Sequence, residues 1–266
     1  MATAAFALPT SADAKSSVLA IFAKETYYEF LKLFRTRSFS LAVIGFPVMF
    51  YLLFGVSNRA AHDGGVSVAK YLLSGYACSG IVSAALFGIG VGMATERGAG
   101  WLELKRASPM PPLAYLLAKC ITAQVFGVIV VAVLMVLSLT LGGVHLSVRE
   151  AIMLLLMPLV GAVPFASMGL LIALLVPPNS ASGIVNLIYM PMAIAGGLWV
   201  PLSMLPGWLR MIAPALPTYH LAQITLRVFG YQNTSSLMQH AFGLLGFTLL
   251  MLGASWAVFH RAEQNS

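Results

Sequence analysis

Apolar and polar positions alternate along this chain in long blocks rather than in short periods. Six apolar runs fall at Phe39–Ser57, Tyr71–Ala94, Cys120–Gly143, Ala151–Val176, Gly183–Leu202 and Leu237–Phe259. Each is near or above the roughly 20 residues that a helix needs to cross hydrocarbon. None of them contains Asp, Glu, Lys or Arg. Ahead of the first run, apolar Val18, Phe22, Tyr28, Leu31 and Phe34 alternate with Lys24, Glu25, Glu29, Lys32 and Arg35. That pattern predicts an amphipathic helix over 18–38, lying in the interface with its basic side chains reaching headgroups. A docking face for a soluble partner fits the same pattern. Residues 1–17 read as a disordered polar tail. The predicted fold class is all-α integral membrane: an interfacial helix, then a six-span domain over residues 39–261.

Two features refine the spans. In the second, Gly80, Ala84, Gly88 and Gly92 recur every four residues, a spacing that lets helix backbones approach where packing alone must hold them. Pro47, Pro158, Pro164 and Pro191 lie inside spans and predict kinks with locally freed carbonyls. Between the fifth and sixth spans, Pro201, Pro206, Pro214 and Pro217 break an apolar stretch into short pieces. It is too apolar for a free loop and too interrupted for a span, so residues 201–219 read as outer re-entrant short helices, with Trp208 and Tyr219 near headgroups.

Composition agrees with a membrane protein. The 266 residues are 59% hydrophobic and 9% charged, against roughly a quarter charged in soluble domains. The net charge of +7 raises nucleic acid as a partner, but the basic residues flank apolar runs, where inside-positive bias and anionic lipid explain them. Ten of the 15 Lys and Arg fall on the side of the termini and the 95–119 loop. That side is therefore predicted to be cytoplasmic, with both termini inside. Ala12-Asp13-Ala14 resembles a cleavage site, yet no basic residue and only a few apolar ones precede it, so no signal peptide is expected.

The one charge-dense segment between apolar runs is Thr95–Lys119, with Glu96, Arg97, Glu103, Lys105 and Arg106 in its first dozen residues. Gly98 and Gly100 relax the backbone. Trp101, Leu104 and Ser108 at i, i+3 and i+7 predict a short helix with an apolar side. Ser108-Pro109 stops it and Pro111-Pro112 opens the next helix. A short helix held in water between two spans is shaped for another protein to push on; an ordinary solvated loop reads equally well from spacing alone.

Other chemistry is missing. The spans hold no Asp, Glu, Lys or Arg, only Gln124, Asn186 and, near the start of the last, Gln239 and His240 as polar candidates, which weakens proton- or sodium-coupled carriage. The sequence has no Gly-Lys pair and hence no P-loop of its own. The five histidines show no ligand-like spacing and the two cysteines no metal or disulfide pattern.

Glu96-Arg97-Gly98, Gly100, Ala107-Ser108-Pro109 and a helix ending in Lys119 resemble the loop of ABC-2 type permeases, the membrane subunits of ATP-binding-cassette exporters. Pro201, Leu205-Pro206, Trp208, Ile212, Pro217 and Arg227 look like the segment before that family's last span. The resemblance covers roughly residues 18–261. It implies that two permeases pair, as homo- or heterodimer, and that each docks a separate ATPase subunit. ATP and Mg would be bound there and no cofactor in this chain. The implied coupling helix is roughly Glu96 to Ala107, with Trp101 and Leu104 filling a groove on the ATPase and Glu103, Lys105 and Arg106 ringing it. Pro201, Leu205, Pro206 and Trp208 would form an outer gate. Spans one, two and five would line the path, with Phe46, Phe50, Phe87, Asn186, Tyr189, Met190 and Trp199 as candidates.

The function expected on this basis is export of an amphiphilic, lipid-like or drug-like compound across a bacterial inner membrane. A glycolipid-linked polysaccharide is the alternative cargo, and an ATPase-independent channel or scaffold the alternative function.

Overall fold

The computed structural model describes residues 11–63, 66–101, 104, 112–231 and 236–264. Helix α1 spans Ser11–Arg35. It begins inside the stretch read as a disordered tail. Thr36 is extended and turns the chain into α2 (Arg37–Val56). A two-residue antiparallel hairpin, β1 (His62–Asp63) and β2 (Val66–Ser67), leads to α3 (Val68–Gly98). Then follow α4 (Pro112–Thr140), α5 (Val148–Leu175) and α6 (Pro178–Ala195). Short helices come next, α7 (Gly207–Ile212) and α8 (Pro217–Val228), with single 3₁₀ turns at Leu202–Met204 and Ala213–Ala215. The last helix is α9 (Leu237–Gln264).

Among the described residues, five helices are long and apolar enough to cross a membrane: α2, α3, α4, α5 and α9. The fifth run of the sequence, placed at Gly183–Leu202, instead forms α6 from Pro178 to Ala195. Pro178 suits a first helical turn, so the helix takes in polar Asn179, Ser180 and Ser182. It stops at Gly196-Gly197, where Gly197 adopts φ +80°. With 18 residues α6 is about 27 Å long at 1.5 Å per residue.

Contacts at the helix ends define two poles. At one, the end of α3 meets the start of α6, as Gly98 lies against Pro178. At the other, Lys70 at the start of α3 pairs with Glu150 at the start of α5 at 2.5 Å, and Tyr71 donates to the Gly197 carbonyl at 2.8 Å. Successive helices from α2 to α6 therefore run in alternate directions. The centre of the bundle is α3, 83% of whose apolar window is buried, against 17% for peripheral α9. The small-residue stripe on α3 finds its neighbour within the chain. A Cβ at Gly80 would overlap Val130 of α4.

The prolines are accommodated without breaking helices. Helix α5 runs through Pro158 and Pro164, and Gln124 donates to the Leu159 carbonyl at 3.1 Å. Its start is fixed by a capping box between Ser147 and Glu150. Pro47 of α2 follows a π-helical segment, Leu41–Gly45, and a second one lies at Tyr51–Val56. Such local rewinding is one way a proline-bearing membrane helix satisfies its backbone. A third π segment, Leu86–Val91, interrupts α3.

Candidate functional site

The Glu96-Arg97-Gly98 triplet forms the last turn of α3, and each of its residues grips a different neighbour. Glu96 bonds Lys32 of α1 and the Tyr115 hydroxyl of α4, and lies 3.0 Å from Lys119 Nζ of α4. Arg97 donates to the Leu174 carbonyl at 2.5 Å and to the Val176 carbonyl at 2.8 Å, covering the open end of α5. A cation with five donors is well matched to the unsatisfied carbonyls of a helix C-terminus. Gly98 sits so close to Pro178 of α6 that a Cβ would overlap the proline ring.

Around Glu96 the charges alternate. Lys119 reaches Glu29 at 2.6 Å, and Lys32 reaches the other Glu29 oxygen at 2.5 Å. Two carboxylates and two ammonium groups thus close a balanced cluster joining α1, α3 and α4. Lys119 and Glu29 have only 1% and 4% of their side chains exposed. Lys119 also lies 5.0 Å from the centre of the Tyr115 ring. Burial of Lys32 works against its charge, but Glu29 and then Glu96 outweigh this and hold its ammonium above the ordinary lysine range. Lys32 thus pairs with Glu29 and Glu96 while 45% of its side chain stays exposed. Burial is affordable because every charge has a partner of opposite sign.

Glu29, Lys32, Tyr115 and the role of Lys119 are absent from the sequence-level site. Their signal was an i, i+3 Glu–Lys pair on an amphipathic helix, plus single charges at the facing edges of two apolar runs. Glu96, Arg97 and Gly98, where the coupling helix was expected to begin, instead form the last turn of α3. Beyond Gly100, which turns with φ +75°, Trp101 and Leu104 are helical and exposed by 56% and 66%. Glu103, Arg106, Ser108 and Pro109 lie outside the described residues.

Two grooves flank Trp199. The first, about 540 Å³, holds six of the seven path candidates: Phe46 of α2, Phe87 of α3, Asn186, Tyr189 and Met190 of α6, and Trp199 itself. It runs from the charged pole, where Lys32, Thr36, Ser38, Thr95 and Glu96 form its polar mouth, to an apolar end. The second, about 670 Å³, lies towards the opposite pole and is lined by Phe50, Tyr76, Pro201 and Met204 among others. Trp199 borders both. Its indole donates to Ser79 Oγ at 2.7 Å, and Tyr189 donates to the Ser79 carbonyl at 3.1 Å. Ring centres of Phe46, Tyr189 and Phe50 lie 5.4, 6.0 and 6.4 Å from that of Trp199. Of the expected outer-gate residues, Pro201 lines the second groove and Leu205 is buried. Trp208 is 64% exposed on α7 and lines neither groove. Helix α8 packs beside the middle of α3, with Thr225 Oγ1 3.2 Å from Cys78 Sγ.

A family model, the ABC-2 type transporter, matches residues 25–229. The chain belongs to the ABC-2 type transporter family. The match takes in the junction, the first groove, all of the second but Tyr231, and α8. A protein of Bacillus subtilis (strain 168), named "Putative transport permease YvfS", is 32% identical over 198 residues, covering 74% of this chain and 80% of its own length. This ABC-2 family chain is thus an integral membrane protein with a permease role, and the charged junction and the aromatic cluster around Trp199 lie within the family-matched region.

Proposed function

We propose that this chain is the membrane subunit of an ATP-binding-cassette exporter, working with separate ATPase subunits and a second permease copy. The observation that carries the reading is the mounting of Trp101 and Leu104. Two large apolar side chains are exposed just beyond an end of α3 that is bonded to α1, α4 and α5 and packed on α6. An apolar anchor on a rigid base is what a partner needs in order to push on a membrane domain. In this reading α6 is the fifth of six spans, both termini face the cytoplasm of a bacterial inner membrane, and the segment containing α7 and α8 dips back from the outer side. The cargo is amphiphilic, lipid-like or drug-like, because the first groove joins a hydroxyl-rich mouth to an aromatic end. ATP and Mg belong to the partner, and this chain conducts rather than catalyses.

The test is co-expression with the candidate ATPase, capture in mild detergent, and measurement of stimulated ATP hydrolysis. Trp101→Ala with Leu104→Ala should weaken retention by at least ~2 kcal/mol, about 30-fold, as loss of a buried aromatic anchor does. Its thermal stability should stay at the wild-type value, since both side chains are exposed in the free chain. A double variant that retains and stimulates the ATPase like the wild type would remove the coupling assignment and favour an ATPase-independent channel or scaffold.

A further inference from the structure

The polar side chains lining the first groove have mostly spent their protons. Thr36 Oγ1 donates to the Lys32 carbonyl at 2.7 Å and Thr95 Oγ1 to the Val91 carbonyl at 2.8 Å. Deeper in, Ser83 Oγ donates to the Gly80 carbonyl at 3.1 Å and the Tyr189 hydroxyl to the Ser79 carbonyl at 3.1 Å. A carbonyl oxygen can only accept, so in each of these bonds the hydroxyl is the donor. A hydroxyl has one proton, and once it is committed only lone pairs remain for a guest. The single N–H of Trp199 is likewise given to Ser79 Oγ, and the Glu96 carboxylate has nothing to donate.

Few donors are left. Asn186 gives one of its two amide protons to the Ser182 carbonyl at 3.2 Å. Ser38 and Ser182 are exposed hydroxyls at the rim, free to turn either way. Lys32 is the one cation among the described residues of the lining. Glu29 and Glu96 both hold its ammonium, so its charge is matched locally. The apolar end adds the rings of Phe46, Phe87 and Trp199, and aromatic faces carry negative charge density that attracts cations. From mouth to end, the groove is therefore rich in lone pairs and π electrons and poor in protons.

We infer, on the reading of this groove as the cargo path, that the head of the cargo is a protonated amine bearing N–H groups, received by the hydroxyl oxygens of Thr36 and Thr95, with its apolar part against Phe46, Phe87 and Trp199. An alkylammonium is the complement of such a lining, since it only donates and never accepts. A carboxylate or phosphate head would need the donors that the lining has already committed.

Calorimetric titration of the purified full chain in phosphatidylcholine nanodiscs tests this with three probes that share one ring system: 2-naphthylmethylammonium, its N-trimethylated analogue and 2-naphthoate. Phosphatidylcholine is net neutral and its headgroup carries no N–H or O–H, so the bilayer does not mimic the probe. The primary ammonium should bind about tenfold tighter than the trimethylated cation, the scale of one charge-assisted hydrogen bond, and naphthoate should bind most weakly. Thr36→Val with Thr95→Val keeps both side-chain shapes, removes both oxygens and should erase the preference between the two cations. The inference is overturned if the trimethylated cation binds as tightly as the primary one, if naphthoate binds more tightly than either, or if the preference survives in the double variant. Should that variant fail to fold, the ranking of the three probes by the wild type decides. No ATPase enters the measurement, so its outcome and that of the Trp101 and Leu104 docking test fall independently.

Discussion

Replacing Lys119 by methionine removes one of the two cations from the cluster at the end of α3 while keeping most of the side-chain volume. Lys119 touches both carboxylates, Glu29 at 2.6 Å and Glu96 at 3.0 Å, and is 1% exposed. Its loss leaves two buried carboxylates to share Lys32, which is 45% exposed and so the weaker partner. Removing one side of a buried pair costs about 3–5 kcal/mol because the other charge stays desolvated. Lys32 offsets part of this, and we expect about 3 kcal/mol for Lys119→Met. Glu29→Met alone should cost a similar amount. The double variant leaves Glu96 facing Lys32, one charge of each sign, and should recover at least about 2 kcal/mol relative to additivity. Reversible unfolding of the purified chain in mixed micelles gives the four free energies of the cycle. Additive single effects, or a Lys119→Met variant within about 0.5 kcal/mol of wild type, would refute the view of the cluster as one coupled unit.

Other expectations follow from packing and charge. Gly80→Ala forces a methyl into Val130 and should cost about 1–3 kcal/mol, and adding Val130→Ala should restore most of it, both read by the same unfolding measurement. Trp199→Ala removes the ring that borders both grooves and its bond to Ser79, so proteoliposomes carrying it should leak a small amphiphilic dye without ATP, while Trp199→Phe should leak less. His220 is pushed below the ordinary histidine range by burial, a hydrogen bond to the Pro214 backbone only partly opposing this. The unfolded chain then binds more protons than the folded one, so stability should fall as pH drops below about 6.5. His220→Gln should flatten that slope in a melting-temperature series.

The bundle was legible in the sequence because hydrocarbon imposes a length and excludes charge, and both rules act run by run. Spans one, two and five also carried the path candidates, and six of them do face one groove. What escaped has a common cause. Excluding charge from spans assigns charged residues to loops, yet helices continue past the apolar run. Glu96 and Lys119 both belong to helices, and their meeting with Glu29 depends on the folding together of residues 67 to 90 positions apart. The start of α6 was misread for the same reason: Pro178-Asn179-Ser180 is polar, but it is helical. Trp208 was grouped with Pro201 by the family resemblance; in the structure it lies on α7, exposed, and is not among the residues lining the groove that Pro201 lines.

The distribution of ties at the charged pole bears on how motion would pass through the molecule. Helices α1 and α4 are bonded to Glu96, α5 to Arg97, and α6 is wedged against Gly98. A displacement applied at Trp101 and Leu104 would therefore reach four helices through one turn of α3. Among the described residues, α2 takes no part in these charge contacts, although it supplies Phe39, Val43 and Phe46 to the first groove. It is joined to α1 through extended Thr36 and contains two of the three π segments. π segments can change register at lower cost than a regular helix, and they recur at functional sites. On these grounds we expect the wall formed by α2 to move against the rest. Cross-linking α2 to α6 across the groove, at Phe46 and Met190 changed to cysteine, should arrest ATP-driven transport reversibly, with reductant restoring it. Undiminished transport by the cross-linked protein would place the moving wall elsewhere.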